Sequence, residues 1–282
     1  MNEILIIAVI YNTYSETINF LKSIESQNYK FIKVNLVDNS EISDLTFEKK
    51  LAAFKINIVY LKSPKNLGYF GGAKYGLNVF LEKNDLPKFI IVCNVDVEIK
   101  QKGFFEKLSE IQIDSDSGVI APAIISKRWK TDSNPKIIAR YSRKKMNFFL
   151  FISSNRLIHN FYTALSYFKK NLKFISSNII ASNRNKSKYA NKNIYAPHGS
   201  FIIFYKQFFE KGGTLNHISF LFGEEIFIAE TVIKLDLKVV YKPELIVSDS
   251  EHASTGFFYS KKITDFMKQS SKDIISKYYT LF

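Results

Sequence analysis

A chain of 282 residues, 46% hydrophobic and 23% charged, has the length for a buried core and the make-up of an ordinary folded domain, which excludes a disordered tail, a collagen-like fibre and a polytopic membrane protein. The single cysteine, Cys93, excludes an internal disulfide and with it a stapled secreted scaffold, and points to a reducing, cytoplasmic setting. The net charge of +14 is not spread evenly: residues 127–192 hold 16 Lys and Arg against one acid, Asp132, while the rest is close to neutral, so the basicity belongs to one segment and its partner.

In chain order, the apolar run 4–10 predicts a strand buried on both faces. It is shorter than a signal core and follows the acidic Glu3, so no secretion signal is expected, and no stretch has the roughly 18 apolar residues of a membrane span. Tyr11-Asn12-Thr13 turns the chain, and Ser15 with Glu16 opens a helix with Ile18, Leu21 and Ile24 on its apolar face. Strands follow at 34–37, ending in Asp38-Asn39-Ser40, and at 56–61. After a glycine-rich stretch, 66–76, a fourth strand at 89–93 ends in Asn94-Val95-Asp96.

This β-α-β-β-α-β order predicts an α/β fold, a mixed, mostly parallel sheet flanked by helices. In such sheets ligands bind beyond the carboxyl ends of the strands. Three of those ends carry polar residues: Tyr11-Asn12, Asp38-Asn39 and Asn94-Val95-Asp96. Each alone reads more readily as an ordinary turn, but three on one edge point to a site. The glycine-rich stretch is neither a Walker loop nor a dinucleotide fingerprint. It admits close approach of backbone to a ligand, or a tight loop with a packed helix start.

Further along, Pro197-His198-Gly199-Ser200 precedes an apolar strand, and Gly212-Gly213 leads to Phe220-Leu221-Phe222-Gly223-Glu224-Glu225. Tyr241-Lys242-Pro243 then leads towards a polar stretch, 249–256. Together with Ile6-Ile7-Ala8-Val9-Ile10-Tyr11-Asn12, Val37-Asp38-Asn39-Ser40, Asn66-Leu67-Gly68-Tyr69-Phe70-Gly71-Gly72 and Asn94-Val95-Asp96, this ordered set resembles the family 2 glycosyltransferases of the GT-A fold, especially bacterial rhamnosyltransferase-like enzymes of surface polysaccharide synthesis. The resemblance covers residues 3–126 and 195–256 and leaves the basic segment outside.

The resemblance implies an inverting transfer of a sugar from a nucleoside-diphosphate donor, a UDP- or dTDP-sugar, to a hydroxyl of a glycan, in O-antigen, capsule or similar polysaccharide assembly. A departing diphosphate gathers negative charge, which a divalent cation, Mg²⁺ or Mn²⁺, offsets as a Lewis acid. The family's Asp-x-Asp motif reads Asn94-Val95-Asp96 here, so Asp96 becomes the ligand, while Asn94 binds weakly through its amide or bonds the ribose. Either Asp249 or His252 would complete the metal site. Asp38 would meet the nucleobase beside Tyr11 and Asn12, with Asn66, Gly68 and Gly72 lining the donor pocket. Lys74 faces either the diphosphate or solvent. Glu225 would be the general base, with Glu224 beside it orienting groups or bonding the acceptor. The two adjacent acids also suit a helix start through the helix dipole. His198 and Gly199 would lie on the acceptor side.

In the basic segment, Arg143-Lys144-Lys145 leads into Phe148-Phe149-Leu150-Phe151-Ile152. Leu157, Ile158, Phe161, Tyr162, Leu165, Phe168 and Leu172 then share one helical face, opposite Arg156, Asn160, Thr163, Lys169, Lys170 and Lys173. This pattern predicts an interfacial helix on an anionic membrane, the alternative being a helix packed on the domain with solvated lysines. Residues 176–193 are expected to form a loop and residues 261–282 a terminal amphipathic helix. The chain thus divides into a nucleotide-sugar-binding half (1–126), a basic insertion (127–193), an acceptor and catalytic half (194–260) and a C-terminal helix (261–282). The expected location is the cytoplasm, peripheral on the inner face of the cell membrane, with a lipid-linked glycan as acceptor and no nucleic acid partner. Two other readings compete: a nucleic-acid-binding protein that uses the basic segment, and a catalytically silent nucleotide-sugar-binding relative.

Overall fold

The apolar run at the N-terminus forms β1 (Ile4–Ile10), the hub of the sheet, in parallel pairing with β2 (Ile32–Asp38) on one side and β4 (Phe89–Asn94) on the other. The computed structural model describes residues 3–42, 44–177, 192–250 and 259–279, with backbone alone at 45, 170 and 172–177. Beside β2 runs β3 (Asn57–Lys62), also parallel. The crossovers are α1 (Tyr14–Glu25), α2 (Leu45–Leu51) and α3 (Tyr69–Leu81). The short helix α2 was not expected from the sequence. Its seven residues hold too few apolar positions to show a period, and it exists because Asp44 accepts the amides of Thr46 (2.8 Å) and Phe47 (3.2 Å) while Phe47 packs 4.8 Å from the Tyr14 ring.

Downstream lie β5 (Val97–Glu98), α4 (Phe104–Glu110), β6 (Ser117–Ser126), α5 (Arg143–Ser153), α6 (Arg156–Ser177) and β7 (Asn193–Ile194). They are followed by β8 (Phe201–Tyr205), α7 (Lys206–Glu210), α8 (Glu224–Lys234), β9 (Lys238–Asp249) and α9 (Lys261–Tyr278). The strand order is β3-β2-β1-β4-β8-β6-β9-β5, with β7 on β9. Strand β8 is antiparallel to both β4 and β6, and β6 is parallel to β9. It follows that β1, β2, β3, β4, β6 and β9 all point one way. Their carboxyl ends, and the amino end of β8, gather on one edge. Strands before and after the basic segment therefore share one sheet, the expected mixed, mostly parallel arrangement.

One face of the sheet is covered by α1, α2 and α4, the other by α3 and α8, each over its own apolar core. A third, smaller cluster joins Met146 of α5 to Ile226 and Ala229 of α8 and Ile274 of α9. The basic segment contributes two helices where one amphipathic stretch was singled out. The expected loop begins later than its pattern suggested, since residues 176 and 177 close α6, and most of it lies outside the described residues. The terminal helix forms as α9, opened by Ser260, which accepts the amide of Ile263.

Candidate active site

The register sets the site. Ile10 pairs with Asp38 and Val9 with Asn94, which brings three polar strand ends side by side. Asn12 takes a left-handed turn (φ 54°), and its amide donates to the Ser40 hydroxyl at 2.8 Å, tying the first strand end to the second. Asp38 is fully buried. Its carboxylate accepts from the Ser40 amide (2.8 Å), Tyr60 hydroxyl (2.6 Å), Tyr14 hydroxyl (3.1 Å) and Lys62 ammonium (3.2 Å). Burial works against its ionisation, but the bonds from Ser40, Tyr60 and Lys62 outweigh that and hold the carboxyl below its ordinary value. Tyr14, Tyr60 and Lys62 were missed in the sequence. Their signal was available only with the register, which sets Lys62 directly across from Asp38.

Of the glycine-rich stretch, Gly68 carries the strictest demand. It caps α3 at φ 73°, and a Cβ there would lie 2.0 Å from the Phe220 carbonyl oxygen. The Asn66 carboxamide accepts the Gly68 amide at 3.0 Å, and Asn39 donates to the Gly68 carbonyl at 2.8 Å. Gly72 packs against that same Asn39 and Val9. These residues lock the start of α3 onto the strand ends. Lys74 lies on the exposed side of α3, donating to Asn216 at 3.2 Å.

On the other side of the edge, the Asn94 amide donates to the Ser200 carbonyl at 3.0 Å, and the Ser250 amide donates to the Asp96 carbonyl at 3.1 Å. Val97 pairs with Asp249, so Asp96, in the turn just before Val97, stands one residue from the position across from Asp249. The Ser200 hydroxyl donates to Asp249 at 2.9 Å, and the Ser200 amide donates to Nδ1 of His198 at 3.2 Å. The Asn134 carboxamide holds the His198 backbone amide at 2.8 Å. His252 lies outside the described residues. Among the described residues no three His, Cys, Asp or Glu side chains converge as a metal site. Asp96, half-buried at the strand end, and the buried Asp249 are nevertheless carboxylates, the oxygen donors a hard divalent ion takes.

Glu224 and Glu225 begin α8. Glu224 is buried and accepts the Phe222 amide at 2.9 Å. Burial, then the neighbouring charge of Glu225, pushes its carboxyl up to about 8. Glu225 is half-buried and lies against Gly199, where an added Cβ would sit 3.2 Å from its carboxylate oxygen. Between the two halves stands Tyr69, also missed in the sequence. Its hydroxyl donates to the Gly199 carbonyl at 2.8 Å. Burial raises its pKa well above the phenol range, reinforced by Cys93, Glu224, Asp96 and Glu225 in turn, so these groups lie within electrostatic reach of the hydroxyl. Glu224 has a consequence for stability. The unfolded chain ionises this carboxyl from its ordinary value of 4.5, whereas the folded chain keeps the proton to about 8, so stability falls as pH rises through that window. Glu224→Gln, which mimics the protonated acid, should match the parent's melting temperature near pH 5 and exceed it near pH 9. Parallel melting curves at all pH values would refute the raised value.

The glycosyl transferase family 2 profile matches residues 5–213, about three-quarters of the chain. A comparison with curated proteins gives no significant sequence match. Among solved structures the chain is similar to GalNAc-T7 with UDP, GalNAc and Mn²⁺ (TM-score 0.62, 11% identity, 98% of this chain and 49% of that one). It is also similar to the mannosyltransferase PcManGT from Pyrobaculum calidifontis in complex with GDP-Man and Mn²⁺ (TM-score 0.51, 11% identity, 99% and 76%). A third is TarS from S. aureus (TM-score 0.52, 12% identity, 99% and 44%). The chain thus spans about half the length of the first of these. At such identities the likeness speaks for the fold, and the profile match for the family. The chain belongs to glycosyl transferase family 2.

Proposed function

We propose that this chain transfers a sugar from a nucleoside-diphosphate donor to an acceptor hydroxyl, with inversion at the anomeric carbon. The observation that carries this reading is Tyr69 at the sheet edge: its hydroxyl bonds the Gly199 carbonyl, against which Glu225 lies, and it is within electrostatic reach of Asp96 at the end of the first half's strands. The donor side is the edge from Asn12 to Asp96, and the donor is a UDP- or dTDP-sugar. Asp96 and Asp249 would hold Mg²⁺ or Mn²⁺, which supplies positive charge to the departing diphosphate when bound. The acceptor oxygen bonds to the anomeric carbon as that carbon's bond to the diphosphate oxygen breaks, and the nucleoside diphosphate leaves with the bonding pair. Glu225 takes the hydroxyl proton. Glu224 accepts the Phe222 amide and keeps its proton to about 8, so it is poorly suited to take a proton itself.

The acceptor in this reading is a lipid-linked glycan, met at the cytoplasmic face of the cell membrane during surface polysaccharide assembly. What supports a membrane partner is the way α6 is mounted. It packs inward through polar and aromatic groups: Asn160 exchanges hydrogen bonds with the Tyr259 backbone, His159 packs on the Tyr259 ring, and Tyr167 packs 5.3 Å from Trp129. Asn160, expected on the solvated side, is thus part of the docking face. The apolar stripe faces out, with Leu157 73%, Phe161 72% and Phe168 59% exposed. Phe148 of α5 meets Tyr162 of α6 at 6.2 Å, so the two apolar surfaces are continuous. An apolar surface flanked by Arg143, Lys144, Arg156 and Lys169 suits an anionic leaflet. Among the described residues no helix is long and apolar enough to cross a membrane.

Thermal unfolding with UDP, dTDP and GDP, each with and without Mn²⁺, and with duplex DNA, tests the reading. One nucleotide should raise the melting temperature in a Mn²⁺-dependent manner. Stabilisation by DNA and by no nucleotide would replace the reading with the nucleic-acid one. Nucleotide binding without any transfer to a panel of acceptors would favour a silent relative, in line with Asn94 at the first motif position.

A further inference from the structure

An open cavity of about 430 Å³ lies between the segment that follows β6 and the first turn of α5. Lys136, Ile138, Arg140, Tyr141, Ser142 and Lys145 line it, and no acidic residue does. Arg140 is committed elsewhere, bonding Glu230 through Nε at 2.6 Å and the Tyr278 carbonyl at 2.6 Å. Lys145 stands 3.7 Å from the centre of the Tyr141 ring, a cation–π contact that holds its position, and it forms no ion pair among the described residues. Lys136 is exposed. Two lysines therefore offer charge to the cavity, and the first turn of α5 contains no acid to oppose them.

The cavity's place in the fold matters as much as its charge. Its wall pairs with the chain leading to the candidate catalytic residues: Ile137 and Ala196 exchange backbone hydrogen bonds (3.2 and 3.0 Å), and the Tyr195 amide donates to the Ile138 carbonyl at 3.1 Å. Two residues beyond Ala196 come His198 and then Gly199, against which Glu225 lies. Tyr141 is within electrostatic reach of Glu225, whose charge adds to burial in raising the Tyr141 hydroxyl's pKa. In the other direction, α5 runs from Lys145 to Phe148 and the 61%-exposed Phe151, the beginning of the outward apolar surface. The cavity thus lies between the candidate base and the apolar surface.

We infer that this cavity binds the phosphate of the lipid-linked acceptor, through Lys136 and Lys145, so that the saccharide extends towards Glu225 and the lipid chain lies on the exposed face of α5 and α6. The inference rests on the transferase reading for its choice of ligand. The chemistry it names, a phosphate ester on a lipid chain, is shared with bulk phospholipid headgroups, and the experiment separates the two.

Farnesyl diphosphate and farnesol serve as probes, with the full chain, the Lys136→Ala/Lys145→Ala double variant and Asp96→Ala compared by calorimetry. Lys136→Glu, a single change at an exposed position, guards against misfolding of the double variant. Farnesyl diphosphate should bind the parent and Asp96→Ala alike, and the double variant and Lys136→Glu roughly tenfold or more weakly, the loss expected of one or two charge-assisted contacts. Farnesol should bind the parent weakly by a similar factor. Equal affinity for the lysine variants, or for farnesol, overturns the inference. Loss of binding in Asp96→Ala but not in the lysine variants would put the diphosphate in the donor pocket and overturn it too. Vesicles of phosphatidylcholine with phosphatidylglycerol supply the remaining arm: lysine variants that lose vesicle binding while keeping farnesyl diphosphate would assign the lysines to bulk headgroups instead. None of these results depends on nucleotide stabilisation, so the transferase reading fails or stands separately.

Discussion

Replacing Glu225 by glutamine is expected to lower turnover by roughly 10²–10⁴-fold, the usual weight of general-base catalysis, with donor affinity unchanged. The substitution keeps the size of the side chain and its fit against Gly199 but removes its basicity. Only the transition state needs a proton acceptor at the attacking hydroxyl, so kcat carries the loss and binding does not. Glu224→Gln should change turnover much less, because that carboxyl is buried, bonded to the Phe222 amide and already protonated at neutral pH. The measurement requires a true donor and acceptor pair, since donor hydrolysis by water does not depend on the same base. A dead Glu224→Gln beside an active Glu225→Gln would exchange the roles. Two active variants would make the pair structural.

Asp96→Ala should abolish the Mn²⁺-dependent part of nucleotide binding while leaving the melting temperature of the free protein close to that of the parent. The side chain is half-buried at a strand end, and the bond that organises the backbone there, from the Ser250 amide to the Asp96 carbonyl, does not need the carboxylate. Asp249 is a different case. It is buried and accepts from the Ser200 hydroxyl, which also contacts Nδ1 of His198 at 3.0 Å, so Asp249→Ala would remove a buried hydrogen bond and cost some stability as well as metal affinity. Titrating Mn²⁺ against a saturating nucleotide, followed by thermal unfolding, separates these outcomes. An Asp96→Ala protein that transfers sugar at the parent rate would remove this residue from the metal site.

The contrast between Asp96 and Asp38 shows where sequence reasoning stops. Both follow apolar strands and both read as carboxylates at a ligand-binding edge. Only the packed structure reveals that Asp38 is enclosed by four donors, from α1, β3 and the turn after its own strand, while Asp96 comes just before the residue that pairs with Asp249. Those partners lie 2 to 24 residues from Asp38 and 153 residues from Asp96, and no local pattern announces a partner at the longer range. Tyr69 is similar. Inside a glycine-rich stretch it looks like a helix-start aromatic, and its bond to Gly199, 130 residues away, arises once α3 docks on β1 and β2 with its start next to the chain entering β8.

What the sequence by itself determined is what short-range physics governs. Apolar runs bounded by turn residues fixed four strands, their order fixed a mostly parallel sheet, and the ordered polar motifs at the strand ends fixed the family. The amphipathic stripe of α6 was also legible, because a helical period needs only the chain itself. Which way that stripe faces was not. Helix α6 turns its aromatic and polar side inward because Trp129 and Tyr259 are there to receive it, and it leaves the apolar stripe outside. The tertiary structure alone decided this, as it decided the short helix α2, the burial of Glu224 and the cavity beside α5. For the orientation of α6 and the burial of Glu224 the outcome depends on contacts between residues far apart in the chain, and for all four the free energy exists only once the sheet has assembled and excluded water from the groups it brings together.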